Sequence, residues 1–153
     1  MSSKSWTTEG FGIRVDDIVT TPERIRELLE LAPKTAKHFY DWLEDDYPEE
    51  PLIRDNFELG DVCNYGYAES CDESIASLLR DVIQEVEGIS LDVVVSASYG
   101  YSYLLFSVDY PWKYPEKVRT MTEDDMRAMF NRYVAILDVD AVLVDYREIP
   151  QSS

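Results

Sequence analysis

The apolar period of the chain changes abruptly between residues 72 and 106. Ile75, Leu78, Leu79, Val82, Ile83 and Val86 recur at steps of three and four residues, the spacing of a helix with one buried face. Gly88 follows as a natural helix stop. Directly beyond it, Val93, Val94 and Val95, then Leu104, Leu105 and Phe106, form the most β-prone runs in the chain. The short connection through Ser98, Tyr99 and Gly100 predicts a hairpin, with strands over residues 91–98 and 101–108. A strongly amphipathic helix leading straight into a hairpin, without regular βαβ alternation, predicts an α+β fold with a mainly antiparallel sheet.

The flanking segments extend that expectation. Phe11, Ile13 and Val15 alternate with smaller or polar residues, the pattern of a half-buried strand over residues 6–18. Thr21 followed by Pro22 is a helix start, with threonine at N-cap and proline at N1. Ile25, Leu28 and Leu29 carry that helix to about residue 31. Ala36, Phe39, Tyr40 and Leu43 predict a second helix over residues 34–47, which Pro48 and Pro51 cannot continue. Phe57, Glu58 and Leu59 suit a short strand in an otherwise irregular stretch. Thr122 and Asp125 form a capping box for a last helix with Met126, Met129, Phe130, Tyr133, Val134 and Leu137 on its buried side. A final strand is expected over residues 141–148. The sum is about four to five strands and about four helices in a single domain spanning residues 1–153. A chain of this length can bury roughly two-thirds of its unfolded surface without staples.

Charge is the second constraint. The formal net charge is −17, from 31 acidic and 14 basic residues. Most of it lies in residues 41–73, where twelve carboxylates face only Arg54, a net of −11. Asp41, Glu44, Asp45, Asp46, Glu49, Glu50, Asp55, Glu58 and Asp61 crowd the first part of this stretch, with Tyr47, Tyr65 and Tyr67 among them or just after. Such a field repels nucleic acid and anionic membranes and attracts basic protein surfaces. Carboxylates take guanidinium forks, and aromatic faces accept cations. The expected partner-binding residues are therefore these nine carboxylates and three tyrosines. The plainer reading of the same residues is a solvated acidic face that keeps the protein soluble.

Signals of chemistry are sparse. His38, the single histidine, is expected as a structural residue of the second helix. Cys63 and Cys71 are expected as two reduced thiols, with a disulfide the alternative. They lack ligand spacing for zinc with His38. Residues 41–46 lack the order of oxygen ligands and the glycine of a calcium loop. A carboxylate cluster of Asp16 and Asp17 with Asp92 or Asp109 is the one metal-dependent alternative. Gly10 and Gly12 are not part of a phosphate loop. The expectation is a protein with no catalytic residue, no cofactor and no resident metal. Tyr99, Tyr101 and Tyr103 should share one sheet face, expected to lie under a helix. Tyr110, Trp112 and Tyr114 form an aromatic loop after it. No apolar run reaches the ~18 residues of a membrane span. Residues 1–6 carry no apolar signal core, so a cytoplasmic setting is expected.

Four stretches together carry a resemblance: SWTTEGFGIRVDD at residues 5–17, LLFSVDYPW at 104–112, TEDDMRAMFNRYVAIL at 122–137 and VDY at 144–146. They resemble small acidic proteins without assigned function from low-GC bacteria and their prophages. The resemblance implies a phage or mobile-element setting and lends no catalytic residue. Small acidic phage proteins include inhibitors of CRISPR nucleases and restriction enzymes, so the expected role is a non-enzymatic inhibitor that blocks a basic nucleic-acid-binding surface of a nuclease such as a Cas effector. The alternatives are an acidic accessory protein acting through protein–protein assembly and, less favoured, the metal-dependent hydrolase.

Overall fold

A computed structural model describes residues 5–107 and 120–152. Strand β1 (Ser5–Arg14) ends in a 3-10 turn (Val15–Asp17) and leads to helices α1 (Pro22–Glu30), α2 (Pro33–Asp46) and the short α3 (Ile53–Asn56). Two 3-10 turns (Leu59–Val62 and Tyr65–Tyr67) precede the long α4 (Cys71–Glu87). Then come β2 (Asp92–Val95), β3 (Ser102–Ser107), α5 (Glu123–Leu137) and β4 (Asp145–Ser152). The sheet is wholly antiparallel, in the order β2-β3-β1-β4. The expected α+β class is thus what the chain adopts. No helix among the described residues is long and apolar enough to cross a membrane.

Local chemistry sets most helix ends. The Thr21, Ser70 and Thr122 hydroxyls accept the N–H of Arg24, Glu73 and Asp125 at 3.3, 3.2 and 3.1 Å, relieving orphan donors of the first turns. Asp125 returns the bond to Thr122 N–H at 3.0 Å, completing the box. Helix α2 begins at Ala32, which has no capping side chain. Its cap comes from another helix: the Glu85 carboxylate of α4 accepts from Lys34 N–H, Thr35 N–H and the Thr35 hydroxyl at 3.1, 2.7 and 2.8 Å. Desolvation works against ionisation there, but these bonds hold the Glu85 carboxyl below its usual range.

The helices cover one face of the sheet. Phe11, Ile13, Leu104 and Phe106 from the two central strands meet Leu78, Leu79, Val82, Ile83, Phe130 and Val134 in the main core. Each such side chain contributes roughly 1.5–3 kcal/mol on burial, as an upper bound.

The opposite face curls on itself. Val94 of β2, Leu105 of β3 and Ile149 of β4 form a second, smaller cluster beside Tyr103. β2 and β4 stand at opposite ends of the strand order, yet Ala97 N–H, just past β2, donates to the Pro150 carbonyl of β4 at 2.9 Å. Gly10 and Gly12 make the bend possible. A Cβ on Gly12 would sit 2.0 Å from the Leu104 carbonyl oxygen, and one on Gly10 2.2 Å from that of Phe106. Only residues without a side chain allow that approach.

Three expectations are corrected. The last strand pairs over Asp145–Ser152 rather than residues 141–148. Val142 and Val144 do alternate inward, but as an extended segment packed on the core before pairing begins. Phe57 is buried and the chain then enters a 3-10 turn, so residues 57–59 form no strand. Tyr99 is exposed in the hairpin turn, and Tyr101 and Tyr103 are half-buried on the curled face, away from the helices. Arginines cover them instead, Arg14 lying 4.6 Å from the Tyr101 ring and Arg147 5.5 Å from Tyr103. Tyr110, Trp112, Tyr114 and Asp109 lie outside the described residues.

Candidate partner-binding face

Helix α2 turns Phe39 and Leu43 into the core and leaves its other sides to charge. Glu44, Asp45 and Asp46 fill its last turn, which holds no basic residue. Carboxylates are disfavoured at a helix C-terminus, where the carbonyl dipoles already point. Pro48 and Pro51 then force the chain through turns, with Glu50 N–H bonded to Tyr47 O at 3.1 Å and Ile53 N–H to Glu50 O at 3.2 Å. This reversal returns α3 to the side of α2.

The return places Arg54 against Asp41 and Glu44. Its guanidinium bonds Asp41 at 3.0 Å and also pairs with Glu44, and it lies 5.4 Å from the Tyr40 ring centre. Lys37 adds a 2.6 Å bond to Asp41. The Lys37 hydrogen bond and charge, with Arg54 behind them, hold the Asp41 carboxyl below its usual range. Asp41 and Glu44 therefore belong to an internal clamp. Asp61 is also committed: it accepts from Glu58 N–H at 2.8 Å, and it lies near the Tyr47 phenol. Burial first, then Asp61, pushes that phenol up. Asp45, Asp46, Glu49 and Glu50 are exposed and make no ion pair or side-chain hydrogen bond among the described residues. The side chains of Asp55 and Glu58 are exposed beside them.

The three tyrosines divide. Tyr47 is half-buried and Tyr67 fully exposed. Tyr65, expected on the surface, is a core residue instead. Its ring packs edge-on against Phe39 and Trp42 at 5.4 and 5.3 Å, and its hydroxyl donates to Asp81 at 3.0 Å. Burial, then the Asp81 charge, raises this phenol far above its usual range. The small period-less segment around Tyr65 concealed its inward direction, because a 3-10 turn has no repeating apolar stripe to read.

The cysteines are also corrected. Cys63 and Cys71 are joined in a disulfide rather than standing as two thiols. Left-handed backbone at Gly66 (φ 72°) and at Tyr67 (φ 57°) reverses the chain between them and brings their Cα atoms to 4.0 Å. The buried Ser74 hydroxyl donates to the Cys63 carbonyl at 2.6 Å, fastening the same loop to α4.

Asp16, Asp17 and Asp92 do not converge. Asp17 pairs with Arg14 at 2.6 Å, Asp16 accepts from Ser102 N–H at 2.6 Å, and Asp92 opens β2 opposite Leu105. Among the described residues no group of three or more His, Cys, Asp or Glu side chains could hold a metal ion. Asp16 does meet a partner that spacing did not reveal. It lies close enough to Asp72 that burial first, and then the Asp16 charge, raises the Asp72 carboxyl. The two are far apart in sequence, so only the fold brings them together.

Comparison with family models, with curated proteins and with solved structures finds no match to this chain.

Proposed function

We propose that this protein is a non-enzymatic binder that docks its acidic face on a basic nucleic-acid-binding surface of a nuclease and blocks it, as anti-CRISPR and anti-restriction proteins do. The setting is a host cell carrying a phage or mobile element. The observation that carries the reading is the placement of Asp45, Asp46, Glu49 and Glu50. They are exposed and unpaired among the described residues; Asp45 and Asp46 end α2, where like charge and the helix dipole both oppose them, and Glu49 and Glu50 follow in the next turn. Charge put only to solubility can be spread over a surface; here it is concentrated in one short stretch. Asp55 and Glu58 continue the face, while Asp41 and Glu44 hold it in shape through Arg54.

The test is inhibition of a candidate nuclease, with association rates measured across ionic strength. Wild-type protein should associate faster at low salt, because the encounter is steered by opposite fields. Replacing Asp45, Asp46, Glu49 and Glu50 by Asn or Gln should abolish inhibition. Unchanged inhibition by that variant overturns the reading.

A further inference from the structure

Helix α2 presents two sets of aromatic and acidic side chains, and one already holds an arginine. In the first, Arg54 lies over the Tyr40 ring and bonds Asp41 and Glu44. The second lies on the neighbouring face. His38, Trp42 and Asp46 recur at four-residue steps along α2 and line a pocket of about 290 Å³ with Tyr65, Gly66 and Tyr67 of the disulfide-closed turn. Four-residue steps keep these side chains on one helix face. No arginine or lysine among the described residues reaches this pocket.

Its inner side is firmly set. Tyr65 is the floor, buried and tied to Asp81. Trp42 stands edge-on to it at 5.3 Å, and His38 at 6.0 Å. Tyr67 forms the outer wall. It is fully exposed, makes no ring contact among the described residues and sits in left-handed backbone that a tyrosine rarely adopts. At about 290 Å³ the space lies at the lower edge of ligand clefts, roughly 300–1,000 Å³, and has room for a single side chain. Asp46 supplies a carboxylate at the rim, and Asp45, Glu49 and Glu50 lie within a few residues of it.

We infer that this pocket receives one arginine side chain of the basic partner, its guanidinium stacked on Trp42 and Tyr67 and paired with Asp46. A cation is selected over an apolar group by the net negative field of the segment. Guanidinium is selected over ammonium because it is planar, stacks on aromatic faces and presents a fork to a carboxylate. The fold's own usage agrees: Arg14, Arg26 and Arg54 each lie over an aromatic ring, at 4.6, 5.4 and 4.5 Å for Arg14, Arg54 and Arg26 in turn. The inference rests on the binding role proposed above and locates its anchor.

The experiment titrates the full chain with nona-arginine and with nona-lysine at low salt. Affinity is measured by calorimetry, and the Trp42 indole N–H is followed by NMR, assigned with Trp42→Phe. Nona-arginine should bind more tightly than nona-lysine and shift the Trp42 signal. Tyr67→Asn keeps a residue that tolerates left-handed backbone and removes the ring, so the fold is preserved. It should weaken nona-arginine binding about threefold or more. Asp46→Asn should weaken it more than Asp45→Asn, which removes the same charge outside the pocket. If Tyr67→Asn and Asp46→Asn bind like wild type while the four-site Asp45, Asp46, Glu49 and Glu50 variant does not, the pocket inference falls and the acidic-face reading stands. Equal affinity for the two peptides overturns the choice of guanidinium. Failure of wild type to bind either peptide overturns both.

Discussion

The curled sheet and the acidic segment are both departures from regular structure, and they differ in where their unusual groups find partners. On the sheet most departures are answered from within, the buried Ser102 hydroxyl of β3 being the exception among the described residues. Gly10 and Gly12 admit the carbonyls of β3, Ala97 bonds across to Pro150, and Trp6 and Thr8 on β1 both donate to the Gln151 side chain on β4. In the acidic segment the answers stop partway. Arg54 satisfies Asp41 and Glu44, and the disulfide and Ser74 fix the 63–71 loop. Asp45, Asp46, Glu49, Glu50 and the ring of Tyr67 are left facing outward. A strained feature closed inside the fold is accounted for by stability. One that remains open invites an explanation outside the chain, and the open groups lie on the acidic side.

The comparison breaks most readily at the sheet. Gly12→Ala forces a Cβ onto the Leu104 backbone, a collision with atoms that cannot rotate away. The cost should be about 3 kcal/mol or more, the upper end for overpacking. Urea unfolding monitored by circular dichroism would measure it. A loss below about 1 kcal/mol would mean that the curl is soft and the two regions are less different than they look.

The disulfide comes next. It closes a loop with a sequence separation of 8, which by chain entropy contributes about 2–3 kcal/mol. Replacing Cys63 and Cys71 by serine, or adding reductant to wild type, should lower stability by that amount. It should also loosen Tyr67 and so weaken nona-arginine binding, while the curl, read by Gly12→Ala in the same background, keeps its own cost. Independent sites add, so a double perturbation larger than the sum would join the two regions energetically.

Legibility in the sequence followed the same division. The helices over residues 71–87 and 123–137 were readable because an apolar stripe and a cap agree at each. The hairpin was readable because β-prone runs flank a glycine turn. The strand at residues 145–152 was misplaced because Val142 and Val144 show a strand's alternation without its pairing. Within the acidic segment the charge itself was plain, but its partition was not. That Arg54 neutralises Asp41 and Glu44, that Tyr65 is core, and that Cys63 meets Cys71 all depend on chain reversals at Pro48, Pro51, Gly66 and Tyr67. Nothing in the sequence marks Trp42 apart from its neighbouring aromatics, and only the turn that carries Tyr67 makes it one wall of a pocket.

Asp72 sits on the seam between the regions. It lies in the first turn of α4 near Asp16, which accepts from Ser102 N–H at the start of β3. Its carboxyl is raised above the ordinary value of 3.8 by burial and by Asp16. The folded state therefore binds more protons than the unfolded one between that value and the raised one, and stability falls as pH rises through this window. Asp72→Asn should remove that fall. The difference in melting temperature between variant and wild type should grow in the variant's favour from about pH 4 upward and then level off. A difference that stays constant with pH would show that the Asp16–Asp72 contact does not link the regions through a proton.

The smallest effect on the fold belongs to the residues assigned the largest effect on binding. The side chains of Asp45, Asp46, Glu49 and Glu50 make no ion pair or hydrogen bond among the described residues, so converting all four to Asn or Gln should change unfolding free energy by no more than about 0.5 kcal/mol, as for other surface changes. The expected sign is a slight gain, because like charges are removed and Asp45 and Asp46 no longer oppose the C-terminal dipole of α2. The gain should shrink with added salt, which screens both repulsions. A loss of more than about 1 kcal/mol would place these carboxylates among the groups that build the fold. The acidic segment would then resemble the curled sheet, with its charges answered from within, and the argument for an external basic partner would lose its footing.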